Sequence, residues 1–443
     1  MAGVVFYVAI CVLGFALVQK KLATTPITGP MIFVGLGLLA GSSALGILEV
    51  DTSDDVVTVV DILFQATLVL VLFTDAAALH FNSWKKDAAL PGRLLGIGLP
   101  LTILLGTVFA VWLFPDLDIW EAAIIGAIIA PTDAALGQAV ISNPRVPERI
   151  RQALDVESGL NDGVSLPFVL IFIGLASEEA GTGVAATFVQ EIGVAVAVGA
   201  VAGLLGGWLL VQASKAGWMG YAWSSIAVMA IAVAAFVAAD AGGGSGFIAA
   251  FVAGLAYGHA TQGRIKPNEA VAADLGLVMV QISFLAFGAL VLDRAFDLMT
   301  WQIVLMAVLA LTVARMGPVA LSMVGTKLAW PTLLYLGWFG PRGLATIVFA
   351  ALVVTEADLA GESTIVAVAT ITVGLSVLLH GLTAYPGSQR YGDWFADHKD
   401  TEKLPEAKPL KQHHRWPRFR HSPHSEAAAP TVAQTEPPPR PAN

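Results

Sequence analysis

Apolar stretches close to the length of a membrane crossing follow one another along most of this chain. Thirteen can be marked, at residues 3–18, 30–48, 56–79, 92–114, 120–141, 152–176, 185–213, 222–240, 245–260, 270–292, 301–325, 330–354 and 364–385. A bilayer core calls for about 20 apolar residues of helix, and only a helix or a closed barrel satisfies its own backbone there. The fold class expected is therefore an all-α polytopic membrane protein with about 13 transmembrane helices. Composition agrees, because 56% of the residues are hydrophobic and only 13% are charged, against roughly 25% charged in soluble domains. The net charge of -9 gives no indication of a nucleic-acid partner.

The basic residues assign a direction to this string of segments. Lys20, Lys21, Lys85, Lys86, Arg93, Arg145, Arg149, Arg151, Lys215, Arg264, Lys266 and Lys327 all fall in one alternate set of loops, and only Arg294 falls in the other. By the positive-inside rule the basic loops face the cytoplasm. The N-terminus is then expected outside and the C-terminus inside, in the cell membrane. The opposite loops carry acids, among them Glu49, Asp51, Asp116, Asp118, Glu178, Glu179 and Glu362. The first apolar run has no basic residue ahead of it and no small-residue cleavage site, which reads as a retained helix.

From about Gly387 the apolar runs give way to Lys, His, Pro and Ala. Residues 1–388 are read as the membrane domain. Residues 389–443 are read as a disordered cytoplasmic tail. Its histidines keep no metal-ligand spacing. Cys11 is the only cysteine and rules out an internal disulfide. Gly35, Gly37 and Gly41 lack the spacing of a dinucleotide fingerprint, and no cofactor is expected. A HExxH run and a plausible intramembrane Ser–His pair are both absent, so an enzyme is not expected.

Five ionisable residues stand inside the apolar segments: Asp133, Glu157, Asp162, Arg315 and Arg342, with Asp75 near the end of another. Each costs roughly 2.5–3.5 kcal/mol at a helix centre, on the order of 15 kcal/mol together before pairing. A bundle with no ion to carry has no use for them, so they point to an ion pathway. Two of them adjoin proline. The fifth segment reads IIGAIIAPTDAALG and the twelfth LGWFGPRGLATIVF. Proline removes a backbone donor, glycine eases unwinding, and unwound backbone at membrane depth is tolerated only inside protein or along a watery cavity. The fifth and twelfth segments are an odd number of crossings apart and therefore run in opposite directions. Two inverted repeats with interrupted helices 5 and 12 are expected, the arrangement that frames a transporter's substrate site. Asp133 would offset N-terminal half-helix ends and Arg342 C-terminal ones.

The sixth segment reads RQALDVESGLNDGVSLPFVLIF. Its helical spacing puts Glu157, Ser158, Asn161 and Asp162 in one arc. A carboxylate with neutral oxygens suits a small hard cation. Asp162 supplies the charge and Ser158 a neutral oxygen, and Thr132 at the break is expected to add a free backbone carbonyl. If a proton and a cation compete for Asp162, exchange follows without further parts. Arg315 is expected to hold Glu157 ionised as a buried pair.

APTDA, ESGLND, the Ala-Arg of the eleventh segment and GPRG together resemble the NhaP/NHE branch of monovalent cation:proton antiporters, over residues 1 to about 388. The resemblance implies a homodimer and a six-helix core moving against a dimerisation domain. It implies ion binding at Asp162 with Ser158 and Thr132, and an ion pair of Glu157 with Arg315. It also makes Asp75 a candidate member of the site. The Asn-Asp form, here Asn161 and Asp162, implies electroneutral exchange of one Na+ for one H+. The alternatives are K+ or Li+ on the same site, or a channel or sensor without proton coupling. One departure from the relatives is Ala134, which stands after Asp133 where they often carry proline.

Overall fold

The computed structural model describes residues 2–46, 54–79, 89–177, 184–261, 269–356, 358–398 and 404–408. Among them every regular element is helical. The helices are α1 (Ala2–Leu22), α2 (Gly29–Ala40), α3 (Asp54–Ala77), α4 (Ala89–Leu113, with a wide turn at Leu94–Gly98) and α5 (Ile119–Ile128). Next come α6 (Glu148–Ala176), α7 (Val184–Lys215), α8 (Tyr221–Ala241), α9 (Gly246–Thr261) and α10 (Glu269–Ala286, continued by a wide turn at Phe287–Leu292). The last four are α11 (Trp301–Ser322), α12 (Trp330–Trp338), α13 (Leu344–Glu356) and α14 (Glu362–His398).

Nine helices among the described residues are long and apolar enough to cross a membrane, and α2, α5, α9 and α13 are shorter apolar helices. Large apolar side chains line the outside, including Val5, Phe6 and Leu17 of α1, Leu204, Trp208 and Leu209 of α7, and Val233 and Val237 of α8. Glu157, Asn161, Asp162, Arg315 and Arg342 are buried. Apolar surface of that extent around a charged interior is the pattern of a lipid-embedded bundle.

Local signals place the short helices. Asp118 caps α5, accepting the Trp120 N–H at 2.9 Å, and the Glu121 side chain accepts the Asp118 N–H at 2.9 Å. This reciprocal box satisfies donors that a helix start leaves open. The other oxygen of Glu121 accepts from Gly361 N–H at 2.7 Å, which ties the start of α5 to the loop before α14. Helices α4 and α5 cross at Gly126, where a Cβ would stand 2.5 Å from the Ile103 carbonyl oxygen. That close approach holds α5 in the middle of the bundle.

Two features differ from the sequence reading. Helix α11 is interrupted at Thr312 (φ -112, ψ -88), just before Arg315. Helix α14 continues beyond residue 388 to His398, because Tyr391, Trp394 and His398 stack at helical spacing, with ring centroids 5.6 and 5.3 Å apart. Within the tail, the turn Pro405–Ala407 packs back on the bundle and buries Glu406. Residues 399–403 and 409–443 of the tail lie outside the described residues, as do Lys85, Lys86, Arg264, Lys266, Glu49, Asp51, Glu178 and Glu179.

Candidate ion site at two helix breaks

The chain unwinds after Ile128 and forms only a short turn of helix at Gln138–Ile141. It unwinds again between α12 and α13. The two breaks meet, with Asp133 N–H donating to the Pro341 carbonyl at 2.7 Å. Arg342 is fully buried, and its Nη1 donates to the carbonyls of Ala130 and, at 2.9 Å, Pro131. These carbonyls follow the end of α5, where the helix leaves its acceptors unpaired and its dipole negative. Asp133 does the converse. Its Oδ1 accepts from Ala135 N–H at 2.7 Å and Leu136 N–H at 3.1 Å, and its Oδ2 accepts from Leu344 N–H, the first of α13, at 2.9 Å. Each break therefore supplies the charge that the other's helix ends call for.

Gly343 makes this contact sterically feasible. A Cβ there would fall 1.9 Å from Asp133 Oδ2. Ser376 and His380 of α14, which the sequence reading did not place in the site, brace the second break. Arg342 N–H donates to Ser376 Oγ at 2.7 Å, and His380 Nε2 lies 2.9 Å from the Trp338 carbonyl at the end of α12. In sequence His380 looks like a residue near a helix end. Because α14 runs to His398, it is instead buried in mid-helix.

Helix α6 carries the remaining acids. Glu157 and Arg315 form a two-pronged buried ion pair, with Nη1 on Oε1 and Nη2 on Oε2 at 2.8 Å. The guanidinium also lies against the second break, since a Cβ on Gly340 would stand 2.3 Å from Arg315 Nε. At the next residue of α6, Ser158, the Oγ lies 3.0 Å from Thr132 Oγ1, and, one turn on from Glu157, Asn161 Nδ2 donates to Thr132 Oγ1 at 2.6 Å. The hydroxyls from the first break and from α6 are thus side by side. Asp162 is buried beside them, and its Oδ1 has no hydrogen-bond partner among the described residues.

A cavity of about 60 Å³ reaches Asp162, and its lining includes Thr74 and Asp75 of α3, Asp133 of the first break and Leu344 of α13. Asp75, Asp133 and Asp162 all border it. Among the described residues, however, no three His, Cys, Asp or Glu side chains are grouped as a metal cage. Of the three carboxylates on this cavity, Asp133 already accepts three backbone N–H groups, whereas Asp162 Oδ1 accepts none among the described residues.

The chain is similar in sequence to curated proteins, and in fold to solved structures, at modest identity. The chain is 24% identical to the K(+)/H(+) antiporter NhaP of Alkalimonas amylolytica over 325 residues, 72% of this chain and 55% of that protein. It is 29% identical to the K(+)/H(+) antiporter NhaP2 of Shewanella sp. (strain ANA-3) over 240 residues, 53% of this chain and 40% of that protein. The chain spans about half the length of such relatives. The structure of the sodium proton antiporter MjNhaP1 from Methanocaldococcus jannaschii superposes with a TM-score of 0.71 at 20% identity, covering 87% of this chain and 97% of that one. The family described as sodium/hydrogen exchanger, transmembrane, matches residues 7–387, and the chain belongs to that family.

Proposed function

We propose that this chain is a secondary active transporter that exchanges Na+ for H+ across the cell membrane, one for one and without net charge movement, by alternating access. The observation that carries this reading is Asp162, a buried carboxylate with one oxygen unpartnered among the described residues, at a cavity and beside the hydroxyls of Ser158 and Thr132. A proton or a cation each neutralises that charge, so the two compete for one place. The loaded forms lose the penalty of a naked buried carboxylate, and the empty form keeps it. This makes movement of the loaded forms the favoured path. Asp133 serves chiefly as a helix cap in this reading, because its oxygens already accept three backbone N–H groups. Asp75 borders the same cavity and is the second acid able to meet an ion in transit.

Thirteen crossings, an external N-terminus, a cytoplasmic tail and a homodimer with a moving six-helix core belong to the same proposal. Exchange of K+ is the second reading, favoured by the names of the relatives, which are K(+)/H(+) antiporters. Purified protein in liposomes with an internal pH dye, given Na+, K+ and Li+ in turn, separates the two. Na+, and not K+, should move protons. An equal response to K+ alone would transfer the assignment to K+. Ion current without proton movement would make the protein a channel.

A further inference from the structure

The tail, read from composition as solvated and structureless, contains a buried acid. Glu406 Oε1 accepts the Ala329 N–H at 2.8 Å and the Thr332 hydroxyl at 2.7 Å. Ala329 is the N-cap of α12, and its own side chain has nothing to offer the open donors there. Glu406 therefore provides from the tail the cap that α12 lacks in its own sequence. The approach to α12 is shaped for this contact. Lys327 takes a left-handed backbone conformation (φ 60), disfavoured for a residue with a side chain, two positions before Ala329.

The turn is held from two further directions. Thr332 Oγ1 lies 2.9 Å from the Tyr391 hydroxyl of α14, and that ring stacks on Tyr335 of α12 at 4.3 Å. Arg149, in the first turn of α6, donates to the Pro405 carbonyl at 2.9 Å. The turn Pro405–Ala407 thus ties the start of α6 to the start of α12. Those two helices carry the two sides of the ion site: α6 bears Glu157 and Asp162, and α12 ends at the break that carries Arg342. Helix α6 is continuous from Glu148 to Asp162 and α12 from Trp330 to Trp338, so a shift at the starts is carried toward the site.

We propose that Glu406 is a positioning residue for cation binding: by capping α12 and, through its own turn, tethering it to α6, it sets the register of the second break against Asp162. The proposal rests on the exchange reading, and its test is arranged so that the two fail separately. The full-length chain is studied as wild type, Glu406→Ala, Glu406→Gln and, as a control on an exposed neighbour, Lys408→Gln. Ala329→Pro adds an independent route, since it deletes the donor at a position whose φ of -66 already suits proline. Two quantities are read: amide hydrogen exchange of peptides covering 329–343, and the cation concentration for half-maximal proton movement in liposomes.

Glu406→Ala and Ala329→Pro should speed amide exchange across 329–343. Both should raise the half-maximal cation concentration about fivefold and leave the maximal rate within about twofold, as a small displacement of a binding geometry does. Glu406→Gln keeps the accepting oxygen and should restore both readings, and Lys408→Gln should match wild type. Unchanged amide exchange in Glu406→Ala overturns the proposal. So does an unchanged half-maximal concentration in a wild type that exchanges, or a Gln variant no better than Ala. A wild type that moves no protons would defeat the exchange reading. The amide result would then still decide whether Glu406 holds α12.

Discussion

The carboxylate of Asp133 accepts the backbone N–H of Leu344 at 2.9 Å, across 211 positions of sequence. With the guanidinium of Arg342 on the carbonyls of Ala130 and Pro131, it fastens one helix break to the other. The candidate ion site rests on this fastening, because Asp133 of the first break and Leu344 after the second both line its cavity.

Asp133→Ala should be strongly destabilising. It leaves three backbone N–H groups without their acceptor, and each buried unsatisfied donor costs about 1–3 kcal/mol. Asp133→Asn keeps one accepting oxygen and should lose less. Gly343→Ala should fall in the same range as Asp133→Ala, since its methyl would meet Asp133 Oδ2 at 1.9 Å. Unfolding in detergent micelles, followed by a thermal ramp, ranks these variants. An Asp133→Ala protein as stable as its parent would remove the capping role.

The Glu157–Arg315 pair makes a prediction about partners. Glu157→Ala alone should cost about 3–5 kcal/mol, because it leaves a buried guanidinium unpaired. Glu157→Leu with Arg315→Met should recover much of that loss, since neither member then remains charged. A double-mutant cycle in the same unfolding assay gives the coupling. Additive losses would mean that the two side chains do not support each other.

Asp162→Asn should abolish cation-dependent proton movement and leave expression and folding intact. The amide is nearly the shape of the carboxylate but neither holds a cation with charge nor releases a proton. Exchange retained above about a tenth of wild type, corresponding to less than about 1.4 kcal/mol, would move the shared ligand elsewhere, with Asp75 the next acid on the cavity.

Parts of this arrangement were legible in the sequence for definite reasons. Pro131 and Pro341 each stand within two residues of a charge in an apolar run, and proline cannot continue a helix that a bilayer otherwise enforces. The four-residue spacing of Ser158 and Asp162 is enough to put them on one face of α6. Other parts carried no such signal. The partners of Asp133 are backbone amides, which every residue except proline has, so nothing in residue type marks Leu344 as one. The interruption of α11 at Thr312 has no adjoining glycine or proline to announce it. Glu406 sits among Lys, Pro and Ala, where composition predicts a solvated chain, and its burial depends on a cap missing from α12 seventy-seven positions earlier. His380 stands close to where hydropathy falls off, and aromatic stacking beyond it, which carries the helix on to His398, leaves no mark in hydropathy.

In the proposed cycle a single carboxylate, Asp162, carries both ions in turn, with the neutral Asn161 beside it and Glu157 paired with Arg315. The most direct test is the coupling ratio in sealed proteoliposomes. An imposed membrane potential at fixed pH should leave the equilibrium distribution of the transported cation unchanged. An imposed pH difference should shift that distribution about tenfold per unit, the ratio for one proton against one cation. A cation gradient driven by potential at fixed pH would show that a second acid moves a proton in the cycle, and the single-carboxylate account would be wrong.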